Sequence, residues 1–324
     1  MKLSALLVFI LVQIAFIPFA IVGIALVFYK QTFTSKKLGV SGTAIEVING
    51  RWAMDVFGLR RDTAAVKLSR VLPNNSILGM WLVLFPLYLR YRISGETSGY
   101  PTLAKPGEEG LAHIILNRTV YFDDLIERSV DNVEQFVVMG AGFDTRCYGD
   151  HANRNVSLFE IDRAQTQQLK IACLHAAAVD TSNTHYVEVD FATEQWYEKL
   201  IDSGFDCTKK TMFLWEGVTL YLSENEVRNT LKTIKENIAP GSVVVADFYA
   251  LRFVKGDWSP GMKKLLGILK ITNEELGFGV DFSSDPEVAF KAFLESEAIQ
   301  PGQTYFMGDK TKKGAYMVVA ELFV

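Results

Sequence analysis

Metal-binding and disulfide-forming residues are scarce in this chain. Three cysteines, Cys147, Cys173 and Cys207, and four histidines are spread through 324 residues. No C-x-x-C or H-E-x-x-H spacing occurs, so the sequence offers no metal site. An odd, widely spaced set of cysteines gives no disulfide framework and fits a reducing compartment. Cys147 follows a glycine turn and reads as a small packed residue rather than a nucleophile. An excess of positive charge is also missing. The formal net charge is -4, so bulk electrostatics points to no nucleic-acid partner. Charge of either sign is absent from Leu3 to Tyr29, a run of 27 residues.

That run is long enough to cross a bilayer as a helix, which takes about 20 apolar residues. A secretory signal, the alternative, has a shorter apolar core and a small-residue cleavage site, and no convincing site is present. Pro18 is tolerable in such a helix. Lys30, Lys36 and Lys37 follow the run, against Lys2 before it. The positive-inside rule therefore predicts a single-pass transmembrane anchor over 1–31, with the large domain on the cytoplasmic side of the membrane.

Residues 32–131 read as a helical N-terminal region. Ala44, Ile45, Ile48, Trp52 and Val56 recur at helical spacing, as do Ala64, Ala65, Leu68, Val71 and Leu72. The apolar block Ile77–Leu89 has 13 residues, too few to span. Core burial is expected for it. Arg90 and Arg92 leave an interfacial or re-entrant segment as the alternative. A third helix is expected from about Glu108, with Arg118 in its middle. Arginine there is either salt-bridged or a fixed bidentate donor to a ligand carboxylate.

Residues 132–324 alternate strand and helix. Phe136–Met139 runs into Gly140-Ala141-Gly142, and a second apolar run (Val156, Leu158, Phe159, Ile161) ends on Asp162, 22 residues after Gly140. Glycines let the backbone approach a ligand, and an acid at this distance can grip a ribose. An ordinary strand–turn–helix would carry the same glycines. The dinucleotide fingerprint wants a third glycine where Thr145 stands. With Asp144 beside it, the turn argues against NAD and for a ligand with a ribose but no phosphate, such as S-adenosylmethionine. A third strand, 185–189, ends at Asp190-Phe191, which could hold an adenine; Asp190 could equally cap a helix over Thr193–Leu200. A fourth, 211–215, ends at Glu216-Gly217. Ser223-x-x-Glu226 forms a capping box for a helix to Ile238. A fifth strand comes next at 243–248, and two last strands, 304–307 and 315–324, are joined by a basic turn (Lys310, Lys312, Lys313). This order predicts an α/β fold, a parallel sheet with helices on both faces. Such sheets bind ligands at the carboxyl ends of their strands, where Gly140, Asp162, Asp190 and Glu216 all fall.

The runs Arg118-Thr119 with Phe122-Asp123-Asp124-Leu125, Gly140 to Arg146, Phe159 to Asp162, Val189-Asp190-Phe191 and Trp215-Glu216-Gly217 with Leu220-Tyr221-Leu222 occur in that order. Together they resemble the leucine carboxyl methyltransferase family, most closely its bacterial branch of S-adenosylmethionine-dependent O-methyltransferases. The resemblance covers roughly 40–324 and is densest over 117–250. It implies a Rossmann-like class I methyltransferase sheet with an extra helical N-terminal region. It also implies S-adenosyl-L-methionine as cofactor. Arg118 would bind the methionine carboxylate, Gly140 line the donor, Asp162 hold the ribose, Asp190 with Phe191 hold the adenine, and Glu216 sit near the amino-acid end. The family core does not need a membrane segment. Its presence makes a small-molecule or lipidic acceptor more attractive than a soluble protein tail. A carboxylate acceptor, ionised at pH 7, needs no general base, whereas a hydroxyl would usually need one. The sequence fixes no such base, though His113 and Tyr221 could face the acceptor. Two other classes stay open: a NAD-dependent dehydrogenase on the same sheet, and a non-catalytic membrane-tethered binding module.

Overall fold

A computed structural model describes residues 3–97, 99–149, 155–191, 195–258, 260–271, 274–283, 285–309 and 314–324. Helix α1 (Leu3–Tyr29) continues through a π turn into the short α2 (Ser35–Leu38), which stops at Gly39 in the left-handed region. Then come α3 (Thr43–Val56), α4 (Thr63–Val71), α5 (Ile77–Ser94) and α6 (Ile114–Ser129). The sheet portion is made of β1 (Gln135–Met139), β2 (Ser157–Asp162), α7 (Ala164–Ala176), β3 (Thr184–Glu188), α8 (Trp196–Asp202), β4 (Thr211–Trp215), α9 (Glu224–Asn237) and β5 (Val243–Tyr249). The chain ends with α10 (Leu251–Val254), α11 (Pro260–Ile271), α12 (Pro286–Ser296), β6 (Gln300–Asp309) and β7 (Gly314–Phe323).

The seven strands form one sheet in the order β3-β2-β1-β4-β5-β7-β6. The first five are parallel, with Val137 beside Phe159 and Phe213 on its two sides. β7 is antiparallel to both β5 and β6, so the sheet is mixed and not wholly parallel as the alternation predicts. A hairpin needs only a short turn, whereas a parallel neighbour needs a crossover. The turn residues Lys310, Lys312 and Lys313 lie outside the described residues. The chain steps outward from β1 to β3, then returns to the other side of β1 as β4. Right-handed crossovers of opposite direction put helices on opposite faces and open a crevice at the carboxyl ends, between β1 and β4. All five residues of β1 and of β4 are buried. Tyr121, Phe122, Leu125 and Ile126 of α6 belong to the same core as the sheet.

Three local expectations are corrected. The apolar block at 77 is an 18-residue helix of which only Gly79, Leu84 and Pro86 are buried. It is not a core helix: one flank packs on Trp52 and Phe57, the other on α1. The helix carrying Arg118 starts at Ile114 after a 3₁₀ turn from Leu111, not near Glu108. Glu109 instead is buried and accepts from the Gly107 N–H and the Tyr121 hydroxyl. Asp190 does not cap the next helix, because α8 begins at Trp196 with Gln195 as its N-cap; Thr193 lies outside the described residues. The Ser223–Glu226 capping box is present in both directions.

Candidate active site

A cavity of about 350 Å³ opens at the carboxyl ends of β1, β2, β3 and β4. All six residues singled out from the sequence line it: Arg118, Gly140, Asp162, Asp190, Phe191 and Glu216. The glycine turn forms its floor. Gly140 has φ 63° and Gly142 φ 48°, a region that L side chains rarely adopt. A Cβ on Gly140 would also lie 2.5 Å from Val218 Cγ2. The turn is tied to β2 twice: Ala141 N–H donates to the Ile161 carbonyl at 3.0 Å, and Gly142 N–H donates to Asp162 Oδ2 at 2.5 Å. Arg163 N–H donates to the other Asp162 oxygen at 2.7 Å. Both oxygens are thereby fixed and keep lone pairs for a further donor. Burial pushes the Asp162 carboxyl above its ordinary pKa, against those two hydrogen bonds.

The deep end of the cavity is a buried charge network. Arg51 from α3 donates to Asp144 at 2.7 Å and to Glu216 at 3.1 Å through Nη2. Arg146, just past the glycine turn, binds the same two carboxylates at 2.6 Å each through Nη1 and reaches Asp123 at 2.9 Å through Nε. Arg118 Nε donates to Glu216 at 3.1 Å, and its Nη1 donates to the Tyr249 hydroxyl at 2.7 Å. Asp247 lies 3.5 Å from Arg118 and accepts the Gly217 N–H through both oxygens.

Burial opposes ionisation of Asp144, but Arg146 and Arg51 outweigh it and hold the carboxyl well below the usual range. Glu216 is lowered in the same way, by Arg146, Arg51 and Arg118 against burial. Asp247 goes the other way: burial, only partly offset by Arg118 and Gly217 N–H, pushes it up to about 7. Burial opposes the charge on Arg118, yet Tyr249, Glu216 and Asp247 together raise its pKa.

Arg118 is thus no free clamp; its guanidinium is already oriented by an acid and a phenol. Asp144, read from the sequence as a charge that would repel a phosphate, is neutralised by two arginines. Arg51, Asp247 and Tyr249 were missed by sequence reasoning. Arg51 sits in Asn49-Gly50-Arg51-Trp52, which looks like any helix interior, and only the docking of α3 over the turn brings it in. Its Nε and Nη1 are buried without a hydrogen-bond partner, a vacancy that an anionic group would satisfy.

The mouth is polar. Tyr221 OH donates to Thr43 Oγ1 at 3.0 Å, Thr43 donates to Glu274 Oε1 at 2.9 Å, and Ser41 donates to the same oxygen. Burial pushes the Tyr221 hydroxyl pKa up. His113 instead accepts the Gly110 N–H at 3.1 Å and does not line the cavity. Cys147 is buried and its thiol is raised by that burial, so it is no nucleophile. No cluster of three or more metal-ligating side chains occurs among the described residues.

Comparison with known proteins finds similarity over part of the chain. The sequence pattern of the family described as leucine carboxyl methyltransferase matches residues 90–235. A Bacillus subtilis (strain 168) protein named "Putative S-adenosyl-L-methionine-dependent methyltransferase YktD" is 32% identical over 136 residues, 41% of this chain and 44% of that one. A similarly named Mycobacteroides abscessus protein is 29% identical over 184 residues, 52% of this chain and 61% of that one. The chain spans about half the length of the curated relatives it matches. The solved structure of a methyltransferase-named protein from Thermobifida fusca covers 79% of this chain and 92% of its own at 14% identity, with a TM-score of 0.49. A likeness of that extent says nothing about chemistry. By sequence, residues 90–235 are similar to the leucine carboxyl methyltransferase family, and part of the chain is similar to bacterial proteins named as S-adenosyl-L-methionine-dependent methyltransferases.

Proposed function

We propose that the chain is an S-adenosylmethionine-dependent methyltransferase acting on an oxygen, carboxylate or hydroxyl, of a small or membrane-associated acceptor. The observation that carries this is the meeting of four strand ends in one cavity, with Asp162 held 2.5 Å from the Gly142 amide within a segment that matches a methyltransferase family. The cavity lies within the usual size of a small-molecule site. Asp162 would take the ribose hydroxyls, Asp190 and Phe191 the adenine, and Gly140 the body of the donor. Arg118, with the unpartnered nitrogens of Arg51, would take the amino-acid carboxylate, and Glu216 would keep both guanidinium groups in place. Thr145, where a dinucleotide turn has glycine, is buried and donates to Asp62 at 2.9 Å; this supports a phosphate-free ligand over NAD.

When bound, the donor supplies an electrophilic methyl group on a sulfonium. The chain's part is to hold the acceptor oxygen in line and to exclude water. An acceptor carboxylate is ionised at pH 7 and needs no base. Tyr221, whose one hydroxyl hydrogen goes to Thr43 and whose pKa is raised by burial, is suited to line the acceptor's side of the cavity rather than to remove a proton. α1 would attach the domain to the membrane, on the cytoplasmic side. Leu38, exposed and apolar, is three residues from Ser41 at the cavity mouth, a span of at most about 10 Å. That proximity favours an acceptor drawn from the membrane.

Calorimetry on the full chain in detergent, with S-adenosylmethionine and NAD as ligands and Asp162→Ala alongside, tests the reading. Binding of the first alone, weakened at least 100-fold in the variant, is expected from losing hydrogen bonds to a charged acceptor worth about 1.5–3 kcal/mol each. Binding of neither ligand, or equal binding by the variant, would mean that the donor site is misassigned.

A further inference from the structure

The path of α1 is set by its contacts with α5. Phe9 lies under the Arg90 guanidinium at 5.1 Å, Phe16 stacks on Phe85 at 5.1 Å, and Gly23 meets Gly79. A Cβ on Gly23 would be 2.6 Å from the Gly79 carbonyl oxygen, and one on Gly79 would be 2.8 Å from the Gly23 carbonyl oxygen. Small residues at such a crossing let two backbones touch. The two helices are therefore antiparallel neighbours from Gly23 back to Phe9, about 21 Å at 1.5 Å per residue.

α5 in turn is fastened to the catalytic body along most of its length. Trp81 packs edge-on against Trp52 at 5.3 Å, and Phe57 holds Tyr88 at 5.8 Å and Tyr91 at 5.6 Å. Immediately beyond Phe57 the body carries Arg60, paired with Asp62 and Asp123. If α1 crossed a hydrocarbon core about 30 Å thick, α5 and this charged part of the body would have to enter the core with it. Burying charges at that depth costs several kcal/mol each.

The exposed surface of the pair is apolar and basic. Leu11, Ile14, Ile17 and Phe28 of α1, with Leu78 and Phe85 of α5, face outward. Neither helix carries an acid, and neither does the segment between Tyr29 and Gly39, whose Lys36 and Lys37 are exposed. α1 alone is apolar all round, unlike an ordinary interfacial helix, which has a polar face. Here the body supplies the polar face, with α5 as the layer between.

We propose that α1 and α5 lie side by side in one leaflet of an anionic membrane. On this reading the chain is attached monotopically, with its N-terminus on the same side as the catalytic domain, and does not cross the bilayer. The inference rests on reading α1 as a membrane attachment and replaces the single-pass topology expected from its length.

The test uses the full chain with an epitope ahead of Met1, in sealed bacterial membrane vesicles of each orientation treated with protease. Loss of the epitope and of the catalytic domain from the same face is the expected result. An epitope protected on the face where the domain is digested would overturn the in-plane arrangement while leaving membrane attachment intact. An epitope missing from the mature protein would overturn it in favour of a cleaved signal. Failure of the protein to sediment with membranes at all would remove the attachment itself, leaving the donor-site reading to stand on its own calorimetry. A second arm uses synthetic vesicles. Lys36→Gln with Lys37→Gln should weaken binding to phosphatidylglycerol vesicles about 30-fold at low salt and leave binding to phosphatidylcholine vesicles unchanged. Equal binding of variant and parent to both would refute contact of that surface with lipid headgroups.

Discussion

Replacing Gly140 with alanine should damage the site in two separable ways. The residue has φ 63°, and an added Cβ would lie 2.5 Å from Val218 Cγ2. The left-handed backbone costs a non-glycine residue about 1–2 kcal/mol, and an overpacked methyl costs about 1–3 kcal/mol more. Gly140→Ala is therefore expected to lose about 2–5 kcal/mol in urea denaturation. It should also lose S-adenosylmethionine binding, because relief of the clash moves the turn that lines the cavity. Val218→Ala in the same chain removes the clashing methyl groups but not the backbone strain. The double variant should thus recover the overpacking part, giving a coupling of about 1–3 kcal/mol. The reasoning is refuted by a Gly140→Ala protein of wild-type stability and affinity, or by additive effects in the double-mutant cycle. Either would mean that the turn is not pinned between β1 and Val218.

Glu216→Gln removes the acid shared by Arg51, Arg118 and Arg146. Breaking a buried pair costs about 3–5 kcal/mol, so denaturation should show a loss of that order together with lost donor affinity; an unaffected protein would show that the network is not structural. Asp247 has its folded pKa raised to about 7 from 3.8. Its contribution is fully present below the unfolded value and is lost as pH rises through the folded one. The stability difference between parent and Asp247→Asn should therefore shift against the parent from about pH 4 to about pH 7, and parallel stability curves would contradict the assignment. Ser223→Ala should cost about 1 kcal/mol through the lost N-cap, seen as a lower Tm with donor binding unchanged; a binding defect would mean that α9 matters to the cavity in a way its position does not predict. Tyr221→Phe should retain most activity on a carboxylate acceptor, and a loss above about 100-fold, the lower end of a general-base contribution, would point to a hydroxyl acceptor.

The strand ends were legible because each is marked locally. A buried parallel strand is a short apolar run. The residue at its end, a glycine for a left-handed turn or a carboxylate at a crevice, is its immediate neighbour in the chain. Hence Gly140, Asp162, Asp190 and Glu216 could be placed together before the sheet was known. The Ser223 capping box is equally local. The antiparallel insertion of β7 between β5 and β6 was not legible, since alternation of strand and helix says nothing about the direction of a closing hairpin.

Elements whose cause lies within a few residues could be read from the chain: the uncharged helix at the N-terminus, the glycine turn, the acids at the ends of β2, β3 and β4, and the apolar strands between them. Which distant side chains share a charge was set by packing. Arg51, Arg118 and Arg146 come from 51, 118 and 146 in the chain and meet at Glu216. No periodicity records that meeting, because a buried arginine and a solvated one look alike until packing removes the water. The same holds for α1. Its composition fixes that it avoids water, but its contacts with α5 at Gly79, Phe85 and Arg90 set the direction in which it runs.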